Sequence, residues 1–420
     1  MMELTWQNTL AQLQEYIAHN PSISIGNNTV TLPGEVRPEF YRLFDKVETD
    51  FIKDNFSDLL ERGAELSRAW ADITKSVTGQ LSLESIVVAL SVKWFLNDPL
   101  DGLMRSLSNP LFEVLKGKSD MAKFEEDGKR LVSGAFTSYF KEGYRRWATL
   151  AVLSLLNPDK NYRVPAVDDI ADPLMGEGHE NPGQHVAIVP EAEQSNALSF
   201  QQQPIISFVV PKVMVWSPLL GRFVALHSEF VEPFWTAREI SRNAEWLDFI
   251  NLKRDNGLLK IRPDQKIFPD LTKMLPDVAI YTAEYLEDIA LVADHRHMLR
   301  PYLSVEVMEE ADWFEKGKLA TIKRHHAAMN PRFGTFVICR EPPPQAALDE
   351  LAVKPVAVNQ PPAVANTQAE EEKITPEAQG QSGPVTVPEP PPDIHIIGVG
   401  YDKSRLESLI EVLSKSTQPA

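Results

Sequence analysis

The chain has one cysteine in 420 residues, Cys339, so it forms no internal disulfide and offers no thiolate cluster to a metal. That scarcity fits a reducing compartment, and the expected location is cytoplasmic. No apolar run reaches the ~20 residues a membrane-spanning helix needs. The most apolar stretch, Leu81 to Leu96, is interrupted by Glu84 and Lys93 and reads as a buried amphipathic helix. The start, Met1-Met-Glu-Leu-Thr-Trp6, lacks the basic flank and apolar core of a signal peptide, so no membrane partner is expected. A basic excess is missing as well. The formal net charge of -17 disfavours a surface broadly attractive to nucleic acid or anionic lipid. From Arg242 to Arg340, however, 15 Lys and Arg balance 15 Asp and Glu, which leaves room for a local basic groove.

Several catalytic signatures are also missing. There is no phosphate-cradling Gly-x-x-x-x-Gly-Lys loop, no His-Glu-x-x-His and no Gly-x-Ser-x-Gly turn. Gly398-Val-Gly400 follows a strand pattern, but Lys403 stands where a dinucleotide fingerprint needs its third glycine, and the strand comes last rather than first. The short histidine groups, Asp294-His-Arg-His297 and His325-His326, sit among charges with no third ligand at a telling spacing and read as solvated surface.

What is present is a globular composition, 43% hydrophobic and 24% charged, organised in an α+β pattern: a helical domain, then a small α/β domain with a mixed central sheet. Residues 1–157 form the helical part. Leu10, Leu13, Tyr16 and Ile17 mark a first helix that Asn20-Pro21 stops, and Ser22 to Leu32 reads as a hairpin turning at Gly26-Asn27-Asn28. Helices follow from Arg37 to Leu156, with breaks near Gly79, Asn97-Asp-Pro99, Asn109-Pro110 and Lys118-Ser-Asp120. The stripe Phe136, Tyr139, Phe140, Trp147 has helical spacing and is read as a core face rather than a binding surface. Residues 158–204 lose periodicity and read as a loop or linker.

The α/β part takes residues 205–340 plus 393–415. Two β runs, Ile205 to Trp216 and Arg222 to Val231, are joined at Ser217-Pro-Leu-Leu-Gly221. A capping box at Thr236-Ala-Arg-Glu239 opens a helix to Leu252. Next come β patterns at Leu258–Phe268, Asp277–Tyr281 and Pro301–Met308, a helix at Lys318–Met329, a strand at Phe333–Cys339, and finally a strand at Asp393–Gly400 with a helix at Ser404–Leu413. Between them, residues 341–392 hold 12 prolines, 8 acids, 2 lysines and no aromatic residue. Such a composition cannot offset the entropy of ordering, so the segment is expected to be a disordered insertion open to a protein partner.

Two acids carry the functional reading. Asp277 stands at the mouth of one strand, and Glu306 lies inside another, on the face shared by Tyr302, Ser304 and Met308. A carboxylate in an apolar strand is costly to bury without a partner. A divalent metal shared with Asp277 would supply one, and so would a plain salt bridge to Arg300, Lys318 or Arg324. The element order with Pro-Asp277 and the strand-borne Glu306 resembles the PD-(D/E)xK superfamily of restriction-endonuclease-like nucleases, over roughly residues 235 to 413. The resemblance implies Mg²⁺ held by Asp277 and Glu306, with Glu245 of the preceding helix as a further ligand, and hydrolysis of DNA. The lysine expected two positions after Glu306 is replaced by Met308, so Lys318 or Lys323 of the following helix takes that role in the implied mechanism. Loss of that lysine also leaves open a second class of function: a non-catalytic interaction or scaffold protein that recruits partners through its insertion.

Overall fold

The computed structural model describes residues 6–26, 30–164, 193–200, 211–228, 276–290, 300–329, 331–352 and 394–416. The chain is α+β: helices fill its first part, and a mixed seven-stranded sheet occupies the second. Among the described residues no helix is long and apolar enough to cross a membrane. The linker residues 165–192 and 201–210, the helix read at Thr236–Leu252 with Glu245, the β run at Leu258–Phe268, the histidine group at 294–297 and residues 353–393 lie outside them.

Helix α1 (Trp6–His19) buries Trp6, Leu10 and Leu13 against α2 (Arg37–Asn55), and β1 (Ser24–Ile25) pairs antiparallel with β2 (Val30–Thr31) between them. Phe56 interrupts the next helical run, so α3 (Ser57–Leu81) begins there, a break that no Gly or Pro announces. Gly79 lies inside α3, whose exit comes at Ser82 in the left-handed region (φ 51°). The single amphipathic helix expected over Leu81–Leu96 is therefore three pieces: the end of α3, the strand β3 (Ser85–Val87) and α4 (Leu90–Asn97). The β-branched Ile86 and Val87 win over helical spacing because their strand pairs in parallel with a later one, β5 (Ala197–Ser199).

Asp98 then caps α5 (Pro99–Met104), accepting from Leu100 N at 2.9 Å. Pro110 opens rather than breaks α6 (Ser108–Leu115), since its missing N–H costs nothing in a first turn. Asp120 caps α7 (Met121–Leu155) through Lys123 N at 2.8 Å. From Gly143 to Ser154 every residue of α7 is buried except Arg145, which marks a helix enclosed on all sides rather than one face deep. Phe136, Phe140 and Trp147 lie in that core, with Tyr139 packed against it.

The sheet begins inside the stretch expected as linker, with β4 (Lys160–Tyr162) on the edge. Strands β6 (Val213–Ser217), β7 (Arg222–Ser228), β8 (Val278–Ala283) and β9 (Leu303–Met308) run as an antiparallel meander. After β8 comes the short helix α8 (Glu287–Ala290). Helix α9 (Lys318–Met329) crosses over to β10 (Thr335–Cys339), parallel to β9, and β11 (Ile394–Gly398) adds in parallel beyond it. The order across the sheet is β11-β10-β9-β8-β7-β6-β4.

Side-chain alternation divides the sheet between two covers. Leu303, Val305, Val307, Phe336 and Ile338 join the core that contains α7, while Met308, Val337 and Cys339 join Trp313, Leu319 and Ile322 around α9. Helix α10 (Gln345–Ala352) adds the buried Ala347 to that second layer. Residues 341–352, expected to be disordered, are therefore folded. The tail closes the first layer with a 3-10 turn (Lys403–Leu406) and α11 (Glu407–Ser416), whose Leu409 and Leu413 are buried with α7.

The glycines of Gly398-Val-Gly400 serve this packing. A Cβ at Gly398 would meet Pro343 Cδ at 2.9 Å and Pro342 Cα at 3.0 Å, and Gly400 turns the chain at φ 59°.

Candidate functional site

Strands β8 and β9 pair Val278 with Val305, so the next position in register sets Asp277 beside Glu306. The two acids far apart in sequence do meet at neighbouring strand ends. Their carboxylates, however, take their partners from different helices.

Asp277 Oδ1 lies 2.6 Å from Arg145 Nη2 of α7, and Oδ2 accepts from Val307 N at 2.7 Å. Glu306 Oε1 lies 2.6 Å from His325 Nδ1 of α9, and both side chains are buried. Burial pushes the Glu306 carboxyl up to about 7, against the hydrogen bond from His325, with Asp277 raising it further. The Asp277 carboxylate raises the Arg145 guanidinium above its ordinary value.

The cation side of the cluster extends along α7. Arg146 is 1% exposed, and burial lowers it. It answers with an ion pair to Glu142 at 2.5 Å, a hydrogen bond to Ser228 Oγ at 3.4 Å and the ring of Phe200 at 4.9 Å. Lys212, buried nearby, is pushed down to about 8 by burial and by Arg146. Burial also raises Glu309, just past β9.

The other site residues read from the sequence are placed elsewhere. Lys318 is exposed at the first position of α9, with no ion pair to either acid. Lys323 is spent on Glu350 of α10 at 2.7 Å. Met308 fills an apolar cluster with Trp313, Leu319 and Ile322, so the residue at the lysine position packs rather than reacts.

The expectation that His325-His326 is solvated surface is overturned. His325 faces Glu306 from the buried side of α9, and His326 Nδ1 lies 2.9 Å from Thr335 Oγ1. Helical spacing through Leu319, Ile322 and Met329 selects His326 as the inward histidine, whereas the structure buries His325 against Glu306 and leaves His326 half-buried. Arg145-Arg146 was the missed signal: two cations inside an otherwise apolar helical run imply a buried acid in need of them.

Comparison with protein-family models, with curated proteins and with solved structures finds no match. The site's chemistry therefore rests on its own donors. Among the described residues no group of three or more His, Cys, Asp or Glu is arranged to hold a metal. A hard divalent cation needs several oxygen ligands, whereas both Asp277 oxygens and Glu306 Oε1 already have partners, one of them a guanidinium that would repel it. Among the described residues the oxygens left open are too few for Mg²⁺, and Glu245, the further ligand that the resemblance implies, lies outside them. The arrangement is suited to holding α7, the β8–β9 pair and α9 in register.

Proposed function

We propose that this chain is a non-catalytic interaction protein on a sheet resembling that of the PD-(D/E)xK nucleases, its acid pair converted into internal ion pairs. The supporting observation is that Asp277 ends on Arg145 while Glu306 ends on His325. A guanidinium and an imidazole occupy the positions where a metal-dependent enzyme would keep its carboxylates open to a cation. The Pro-rich, acidic composition between residues 353 and 393 suits recruitment of a protein partner.

The register that sets Asp277 beside Glu306 favours Mg²⁺-dependent hydrolysis of DNA as the second reading, and one experiment separates the two. Incubation of the full chain with plasmid and single-stranded DNA in Mg²⁺ or Mn²⁺ is expected to give no cleavage, and neither ion is expected to raise the melting temperature. Asp277→Ala is expected to lower stability by roughly 1–3 kcal/mol, because Arg145 keeps only Glu142 at 3.4 Å and Val307 N loses its acceptor. Cleavage that requires Mg²⁺ and disappears in Asp277→Ala would establish the enzyme instead.

A further inference from the structure

At the other end of β8 and β9, one strand length of ~20 Å from Asp277, a groove of about 340 Å³ opens beside the starts of β7 and β10. Arg222, Arg300 and Arg332 line it together with Tyr285 and Tyr302. In a chain of net charge -17, three arginines in one groove are a local reversal of sign.

Two of the three, Arg222 and Arg332, are weakly held. Arg222 meets Glu284 at 3.2 Å, an acid whose side chain is 67% exposed. Arg300 Nη2 donates to Pro331 O at 3.4 Å. Arg332 rests over the Tyr302 ring, 5.1 Å from its centroid, and no carboxylate among the described residues lies within ion-pair distance of it. Tyr285 is 65% exposed, a large ring left in solvent at the groove's edge.

Each feature selects part of a ligand. Guanidinium forks match phosphate oxygens in a bidentate way. Open aromatic rings stack on bases. Asp288 and Glu284 in the same groove disfavour a bare anion but accept hydrogen bonds from the amino group of a base. The volume lies near the lower end of the ~300–1,000 Å³ of small-ligand pockets, so it suits one unit rather than a duplex.

We propose that this groove binds a single nucleotide unit, its phosphate on Arg332 and Arg222 and its amino-bearing base against Tyr285. The unit is either a free nucleotide or part of a single strand. The inference stands apart from the acid pair, and its failure leaves the reading of Asp277 and Glu306 untouched.

The test titrates the full chain with adenosine monophosphate, a 15-nucleotide single-stranded DNA and inorganic phosphate, by calorimetry and anisotropy at several salt concentrations. The nucleotide or the strand is expected to bind, with inorganic phosphate much weaker. Tyr285→Ala, at an exposed position, is expected to weaken binding at least about fivefold. Arg332→Gln is expected to weaken it and to reduce the slope of log K against log salt by about 0.7 for the strand. A strand at least tenfold tighter than the mononucleotide assigns the polymer, and equal affinities assign the free nucleotide. Absence of binding by both, affinity for phosphate equal to that for the nucleotide, or unchanged binding in both variants with unaltered far-UV circular dichroism would overturn the proposal.

Discussion

At the scale of single residues, the molecule keeps its buried charges in two different states. Around α7 they are paired: Arg145 with Asp277, Arg146 with Glu142. In the helical part, Glu48 is 3% exposed with Oε1 lacking any hydrogen-bond partner, and burial pushes its carboxyl up to about 8 despite a hydrogen bond from Ser108. The folded chain thus holds a proton that the unfolded chain releases near pH 4.5. Stability from this residue is present at pH 4.5 and below, and it is lost as pH rises toward 8. Glu48→Gln is expected to match the wild type at pH 5 and to exceed it by roughly 1–3 kcal/mol at pH 9, measured by urea denaturation at both pH values. A difference that does not change with pH would contradict the buried, protonated state. The sequence marked Asp277 and Glu306 as the acids that matter, but not Arg145 or His325 as their partners. Pattern and spacing report which face a residue takes, while pairing depends on which distant element lies across from that face.

At the scale of elements, the strongly periodic pieces were legible and the short ones were not. Strands β8 to β10 and α9 fall where alternation and helical spacing place them. The three-residue strands β3 and β5 carry too few residues for a period and exist because they pair with each other. Helix α10 was hidden by averaging. Its Gln345-Ala-Ala-Leu-Asp-Glu-Leu-Ala352 is rich in helix formers, but it lies in a segment whose overall proline content reads as disorder. Glycines illustrate the same division. A Cβ at Gly102 would stand 2.5 Å from Phe95 Cα, a backbone contact that cannot yield, whereas a Cβ at Gly134 on the exposed side of α7 meets nothing within 4 Å. Gly134→Ala is expected to stabilise the protein by about 1 kcal/mol, and Gly102→Ala to destabilise it severely, in thermal melts. Equal effects at the two positions would refute the close approach of α4 to α5.

At the scale of the whole molecule, one cluster of buried apolar residues runs from Trp6 through α7 to the sheet and on to Leu413. Helix α7 joins the two parts, with its early turns among helices and its later turns against β9. The α+β class and the order of helical part before sheet were legible because helical and alternating periods separate cleanly along the chain. The continuity of the core was not, because local patterns do not record what a helix touches on its far side. Unfolding is expected as a single transition, with far-UV circular dichroism and tryptophan fluorescence giving coincident midpoints. Separate midpoints would mean that the helical part and the sheet melt independently.

The Tyr144 hydroxyl donates to Gly400 O at 3.1 Å across 256 residues of chain. On the ribosome, at ~5–20 residues per second, α7 is made tens of seconds before the partner that completes its surroundings. During that interval Tyr144 lacks its acceptor and Trp147 lacks the Tyr401 ring set edge-on against it, so this end of α7 is completed only when the last strand and its turn have been made.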